Sequence, residues 1–207
     1  MKEEPGSVLT IGHSTHDFDE FVSLLKSNGV TVVCDVRSAP YSRFNPQFNK
    51  ETLEKELRNH GIKYVYLGQE LGGRSDDPSC FENGRIQYPR LAKTAAFRRG
   101  IERIVRGANE YVVAIMCAEK EPLECHRTLL VAPAIEEAGV SVKHILADGQ
   151  VETNEAAMER LLGILRMPAA DLFRSKQELI AEAIDRQSQR VGFSIADHAE
   201  NSPDEES

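Results

Sequence analysis

The chain has 207 residues and a net charge of −8 at neutral pH, long enough for one α/β domain with a full core and an appendage. Nine acids against four bases between 168 and 207 leave the first 167 residues at −3, so bulk charge does not mark the body as a polyanion binder, although a local basic cleft stays open. The opening MKEEPGSVLT lacks the apolar core of a signal peptide, and no apolar run is long enough to span a bilayer; the expectation is a cytoplasmic protein, away from membranes, with its four cysteines reduced.

The first apolar run, 8–11, predicts a strand that ends in Gly12-His13-Ser14-Thr15. Residues 17–27 follow as an amphipathic helix with Phe18, Phe21, Leu24 and Leu25 on one face. Asp17 with Glu20 resembles a capping box, and Gly29 suits the stop. A second strand near 30–35 leads into Asp35-Val36-Arg37 and a two-proline loop that carries Tyr41, Arg43 and Asn45. Asn49 is placed to cap a helix running to His60-Gly61, with Phe48 and Leu53 as a hydrophobic staple.

A third strand near 63–67 precedes Gly68-Gln69-Glu70-Leu71-Gly72-Gly73-Arg74, then a long polar loop over 75–88. The pattern from 90 to 106 is helical. A β-branched run near 111–117 predicts a fourth strand, ending at Cys117 before the charged loop 118–124. Cys125-His126-Arg127 opens a helix that Pro133 kinks or shortens, and a fifth strand covers 142–146. Amphipathic segments at 154–166 and 175–190 complete the helices, the second with a Ser175/Glu178 capping box, and the tail from Val191 reads as acidic and disordered. Strands alternating with helices predict an α/β fold: a mostly parallel sheet of about five strands, helices on both faces and an extra C-terminal helix. The division expected is a single domain over 1–167, with the C-terminal helix and tail over 168–207.

The polar clusters all follow predicted strands, and parallel strands gather their carboxyl ends at one edge, where ligands bind. This points to one cleft. Cys117, His126, Asp35 and Glu119 are the candidates for nucleophile and acid–base roles. Gly12, His13, Ser14, Arg37, Tyr41, Arg43, Arg74, Cys125 and Arg127 are the candidates for holding an anionic substrate. Each has a bland reading beside it. A free cysteine is often a small core hydrophobe, Asp35 and Arg37 could be a structural ion pair, and Arg127 could be held by Asp35 or Glu119 rather than by an anion.

Adjacent Cys125 and His126 would point apart on a helix, and no short Cys-x-x-Cys pair is present, so no tightly bound metal is expected. Zinc on Cys117, Cys125, His126 and His13 is the lesser alternative. Neither a P-loop nor a G-x-G-x-x-G is present, so a nucleotide fold of those types is not supported, and the sequence leaves the cofactor open.

The strings TIGHST, CDVRSAPYSRFNPQFN, YLGQELGGR and MCAEKEPLECHR resemble the family catalogued as domain of unknown function 488, over about residues 9–146. The resemblance implies an α/β domain with a Cys…Cys-His-Arg site and carries over no activity. Rhodanese-like and cysteine-phosphatase-like chemistry is a natural comparison, but the Cys-x5-Arg loop those enzymes use is missing: the sixth position beyond Cys117 is Leu123, and beyond Cys125 it is Val131. The leading expectation is an enzyme acting on a phosphate- or nucleotide-containing anion. The alternative is a binding module for a nucleic-acid component or small anion, with the C-terminal tail contacting a protein partner.

Overall fold

The computed structural model describes residues 6–195. In chain order the first elements are β1 (Val8–Gly12), α1 (Phe18–Ser27), β2 (Val32–Asp35), α2 (Lys50–Asn59), β3 (Lys63–Tyr66) and α3 (Gly68–Leu71). They are followed by β4 (Phe81–Glu82), β5 (Arg85–Ile86), α4 (Tyr88–Leu91), α5 (Ala95–Ala108), β6 (Val113–Cys117) and α6 (Ala132–Glu137). The chain then adds β7 (Val142–Ile145), β8 (Val151–Thr153), α7 (Asn154–Ile164) and α8 (Lys176–Val191).

Six strands form one sheet in the order β3-β2-β6-β1-β7-β8. Five run parallel, and β8 pairs antiparallel with β7 at one edge. Successive side chains alternate between faces. Leu9, Ile11, Val33, Ala114 and Met116 face α1 and α2, where they meet Phe21, Leu25, Leu53 and Leu57. Val8, Val32, Val113, Ile115 and Val142 face the other way, toward Phe97, Ile104, Leu161 and Leu179 of α5, α7 and α8. This is the predicted α/β layering with both faces covered.

Burial rather than capping holds the first two helices. Neither Asp17 nor Asn49 makes a side-chain cap hydrogen bond; Asn49 Oδ1 instead accepts from the Ser42 N–H at 2.7 Å. A lost cap costs about 1 kcal/mol, while Phe21, Leu25, Leu53 and Leu57 are fully buried at roughly 1.5–3 kcal/mol each. The Ser175/Glu178 capping box does form at the start of α8.

Other boundaries moved for local reasons. Tyr111 and Val112 precede β6, because the Tyr111 N–H still bonds back to Gly107 O at the end of α5. The predicted 90–106 helix is divided, since Thr94 caps α5 afresh by accepting from the Phe97 N–H at 3.2 Å. Pro133 falls in the first turn of the six-residue α6, and Arg127–Val131 before it takes a wider π turn. The long polar loop folds into the β4–β5 hairpin around Asn83-Gly84, both at positive φ. Residues 191–195 fold against that hairpin: Ile86 N–H donates to Phe193 O, and Ile195 N–H to Gly84 O. The acidic tail from 196 onward lies outside the described residues. No helix among them is long and apolar enough to cross a membrane.

Candidate functional site

The central strands β2, β6 and β1 are neighbours, and their carboxyl ends are Asp35, Cys117 and Gly12. Gly12 pairs with Cys117 in register. The ladder continues past both strands, with His13 N–H donating to Cys117 O and Ser14 N–H to Ala118 O, each at 2.9 Å. A Cβ on Gly12 would lie 1.9 Å from Glu119 O, so only glycine lets the loop after Cys117 lie this close to β1. Ser14 turns the chain away at a φ of 48°. The loop then closes in a 3-10 turn, Pro122–Glu124, capped by Glu121 accepting from the Leu123 N–H.

That closure delivers Cys125 and His126 beside Cys117. Cys125 is extended (φ −133°, ψ 140°), while His126 already has helical angles. The backbone turns between them, so these adjacent side chains converge. Cys117 Sγ lies 3.7 Å from His126 Nδ1, and Cys125 Sγ lies 3.9 Å from the same nitrogen. Cys125 Sγ and Glu119 Oε2 share a hydrogen bond at 2.9 Å. His126 Nε2–H donates to Val36 O at 3.0 Å, which leaves Nδ1 facing the sulfurs. Glu119 has an exposed outer surface, but its carboxylate turns inward to this group.

The cluster is electrostatically divided. Burial, reinforced by Cys125, pushes the Cys117 thiol well up. Burial acts to raise Cys125 as well, but the Cys117 hydrogen bond and the positive Arg127 and His126 outweigh it and bring Cys125 well down. Burial works to lower His126, and its bond and charge interaction with Cys125 override that, so His126 is raised. Glu119 is raised by burial and by Cys125. The arrangement favours negative charge on Cys125 beside positive charge on His126.

Asp35 is fully buried and engaged on both oxygens. Oδ1 accepts from Arg37 N–H and Nε–H, and Oδ2 from Arg37 Nη2 at 2.6 Å and the Tyr64 hydroxyl at 2.7 Å. Arg37 also donates from Nη2 to Phe48 O and from Nη1 toward His13 Nε2. His13 stacks on Phe48 with ring centroids 4.4 Å apart. Burial first, and the Arg37 charge second, lower its pKa to about 4, so it is neutral near pH 7. Cys34, inside β2, is pushed up to about 12 by burial.

A cavity of about 310 Å³ opens at this edge, and Arg37, Arg74, Cys117, Glu119 and His126 all line it. Gly12, His13, Ser14, Asp35, Cys125 and Arg127 do not form its wall. Arg127 is fully buried, donating to Glu119 O at 2.7 Å and Lys120 O at 3.3 Å, so it braces the loop from behind. Tyr41 and Arg43 lie apart, the first bonded to Glu51 and the second over the Phe44 ring at 4.8 Å. Among the lining residues that were not anticipated, three bear on the site. Tyr88 and Phe193 have no motif around them, and Ser38 accepts from the Arg74 N–H at 3.1 Å, fixing that loop. Arg74 rests its guanidinium on the Phe193 ring at 4.5 Å and has no carboxylate partner among the described residues.

A crystal structure from Shewanella putrefaciens CN-32, described as "Putative phosphatase (DUF442)", is similar over 93% of each chain at 14% identity, with a TM-score of 0.36. A likeness of that size bears on neither fold nor activity. No curated protein matches the chain. The family model for "Domain of unknown function DUF488" matches residues 17–133, which span β2, the Cys117 loop and the Cys125-His126-Arg127 turn, and the chain belongs to that family.

Proposed function

We propose that this protein is an enzyme acting on a small anionic substrate, phosphate- or nucleotide-containing, bound in the cavity at the carboxyl edge of β2 and β6. The observation that carries the reading is Arg74. It is a guanidinium without a carboxylate partner among the described residues, held over the Phe193 ring on the wall that also presents Cys117, Glu119 and His126. A guanidinium on a cavity wall that no described carboxylate pairs suits an anion, and its planar fork suits a phosphate or carboxylate. Arg37 adds a second positive group, although Asp35, Phe48 O and His13 together already engage most of its donors. The same cavity is lined by a thiol, an imidazole and a carboxylate with shifted proton affinities, which is how sites for covalent or acid–base work are built. Free cysteines throughout the described residues suit a reducing, cytoplasmic compartment.

The test is a turnover screen of purified, reduced protein against phosphate monoesters and nucleotides. Turnover of a member of the panel, reduced in Arg74→Ala, supports the reading. A folded protein that turns over none of them, yet binds oligonucleotides in a salt-sensitive way, overturns it in favour of a binding module.

A further inference from the structure

We propose that Cys117, Glu119, Cys125 and His126 form a binding site for a zinc-class divalent metal ion. The donor atoms of these four side chains all lie within 4.8 Å of one another. In tetrahedral zinc, with Zn–S about 2.3 Å and Zn–N about 2.0 Å, each sulfur stands about 3.5 Å from the nitrogen. The two sulfur–Nδ1 separations, 3.7 and 3.9 Å, are within a few tenths of that edge. The 2.9 Å approach of Cys125 Sγ to Glu119 Oε2 is a proton-sharing distance. It lengthens to a tetrahedral edge when the ion takes the place of the shared proton.

The second observation is the orientation of His126. Its Nε2–H is committed to Val36 O, which aims the Nδ1 lone pair between the two sulfurs. Metal-bound histidines are fixed in this way by a carbonyl or carboxylate on the far nitrogen. The third is the frame. Cys117 closes a central strand and Cys125 precedes a buried π turn, a feature often found at functional sites. Arg127 places a buried guanidinium behind the loop through Glu119 O and Lys120 O, where it offsets the negative charge of two thiolates and a carboxylate around a divalent ion. The donor set of two sulfurs, one imidazole and one carboxylate suits zinc and disfavours calcium or magnesium.

Spacing along the chain hides this site. Cys117 and Cys125 are eight positions apart and Cys125 touches His126 in sequence, which matches no common ligand spacing. The 3-10 turn and the extended Cys125 make up the difference. Three of the four ligands lie on the cavity wall, so the ion faces whatever Arg74 holds. Glu119, on the exposed loop, is the ligand able to yield its place to a substrate oxygen. Only this last role rests on the proposed enzymatic reading; binding of the ion does not.

Full-length protein, kept reduced with a phosphine and stripped with chelator, is titrated with cobalt(II). The expected result is a saturable one-to-one spectrum with thiolate-to-cobalt charge-transfer and tetrahedral ligand-field bands, displaced by zinc. The bands persist in Cys34→Ser and Cys80→Ser, vanish in Cys125→Ser, and shift in Glu119→Gln. A folded wild-type protein with no such bands, or bands that survive in Cys125→Ser, overturns the proposal, and the wild-type readout stands whatever a variant does to folding. Titration with inorganic phosphate separates the two readings. Phosphate binding without a cobalt spectrum removes the metal and keeps the anion site. A cobalt spectrum without phosphate or nucleotide binding removes the anion site and keeps the metal.

Discussion

His126 is tied to Val36 across the end of the sheet, its Nε2–H donating to the Val36 carbonyl at 3.0 Å. This hydrogen bond links the turn after the Cys117 loop to the residue just beyond β2 and sets which ring nitrogen meets the sulfurs. In chelator-treated protein, Nε2 is therefore expected to stay protonated while Nδ1 titrates above the ordinary 6.5, because Cys125 and Glu119 favour the imidazolium more than burial opposes it. Nitrogen-15 chemical shifts of the ring across pH report both. A midpoint below 6.5 would remove the charge pairing between His126 and Cys125.

Gly12→Ala tests how closely the loop must approach β1. The new Cβ would fall 1.9 Å from Glu119 O, a backbone atom with no rotamer to relieve the clash. The expected cost is about 1–3 kcal/mol of stability, together with displacement of the Cys117–Cys125 loop. Urea unfolding measures the first, and altered reactivity of those thiols reports the second. An alanine variant with unchanged stability would contradict the packing described.

Acid should weaken the fold through two buried histidines. His13 and His144 are each lowered to about 4, His13 by burial and the Arg37 charge, His144 chiefly by burial. The unfolded chain binds protons on both below about 6.5, whereas the native state resists until about 4. Their stabilisation is thus present above 6.5 and is lost as pH falls through that window, by up to about 1.4 kcal/mol per unit for each group. His126, raised in the folded state, acts with the opposite sign above 6.5, and Glu119 and Glu136, also raised, offset part of the loss within the window. Denaturant midpoints at pH 7 and pH 5 should differ, with the lower at pH 5. Equal or reversed midpoints would mean these histidines are not held neutral.

The sheet was legible because buried parallel strands are short apolar runs between helical periods, as in VLTI and VAIM. The Asn83-Gly84 pair is a hairpin signal that the surrounding polar residues obscured. The short edge strand β8, with Val151 and Thr153 exposed, has no apolar period to read. Placement after a strand was informative about which edge holds Arg37, Arg74, Cys117, Glu119 and His126, and silent about depth. Asp35 and Arg127 share that edge yet lie under its wall, because both are spent on internal partners. Phe193 reaches the cavity from the far end of the chain, a contact no local pattern encodes.

Arg127→Ala should act on folding. It removes a fully buried guanidinium and strands the Glu119 and Lys120 carbonyls, at roughly 2–3 kcal/mol. Arg127→Lys should recover only part, since an ammonium cannot span both carbonyls as the fork does. Thermal unfolding of the two variants measures this. A loss of phosphate affinity at unchanged stability would instead make Arg127 a ligand-binding group.

The most direct test of the account is the affinity of inorganic phosphate for wild-type protein and for Arg74→Ala, measured by calorimetry at fixed ionic strength. Arg74 is exposed, braced by Phe193 and Ser38, and has no carboxylate partner among the described residues, so its removal should leave the fold intact. The account predicts phosphate binding to wild-type protein that weakens by about 1–3 kcal/mol in the variant, the scale of charge-assisted hydrogen bonds. Equal affinity in the two proteins, or no phosphate binding by the folded wild type, would contradict it.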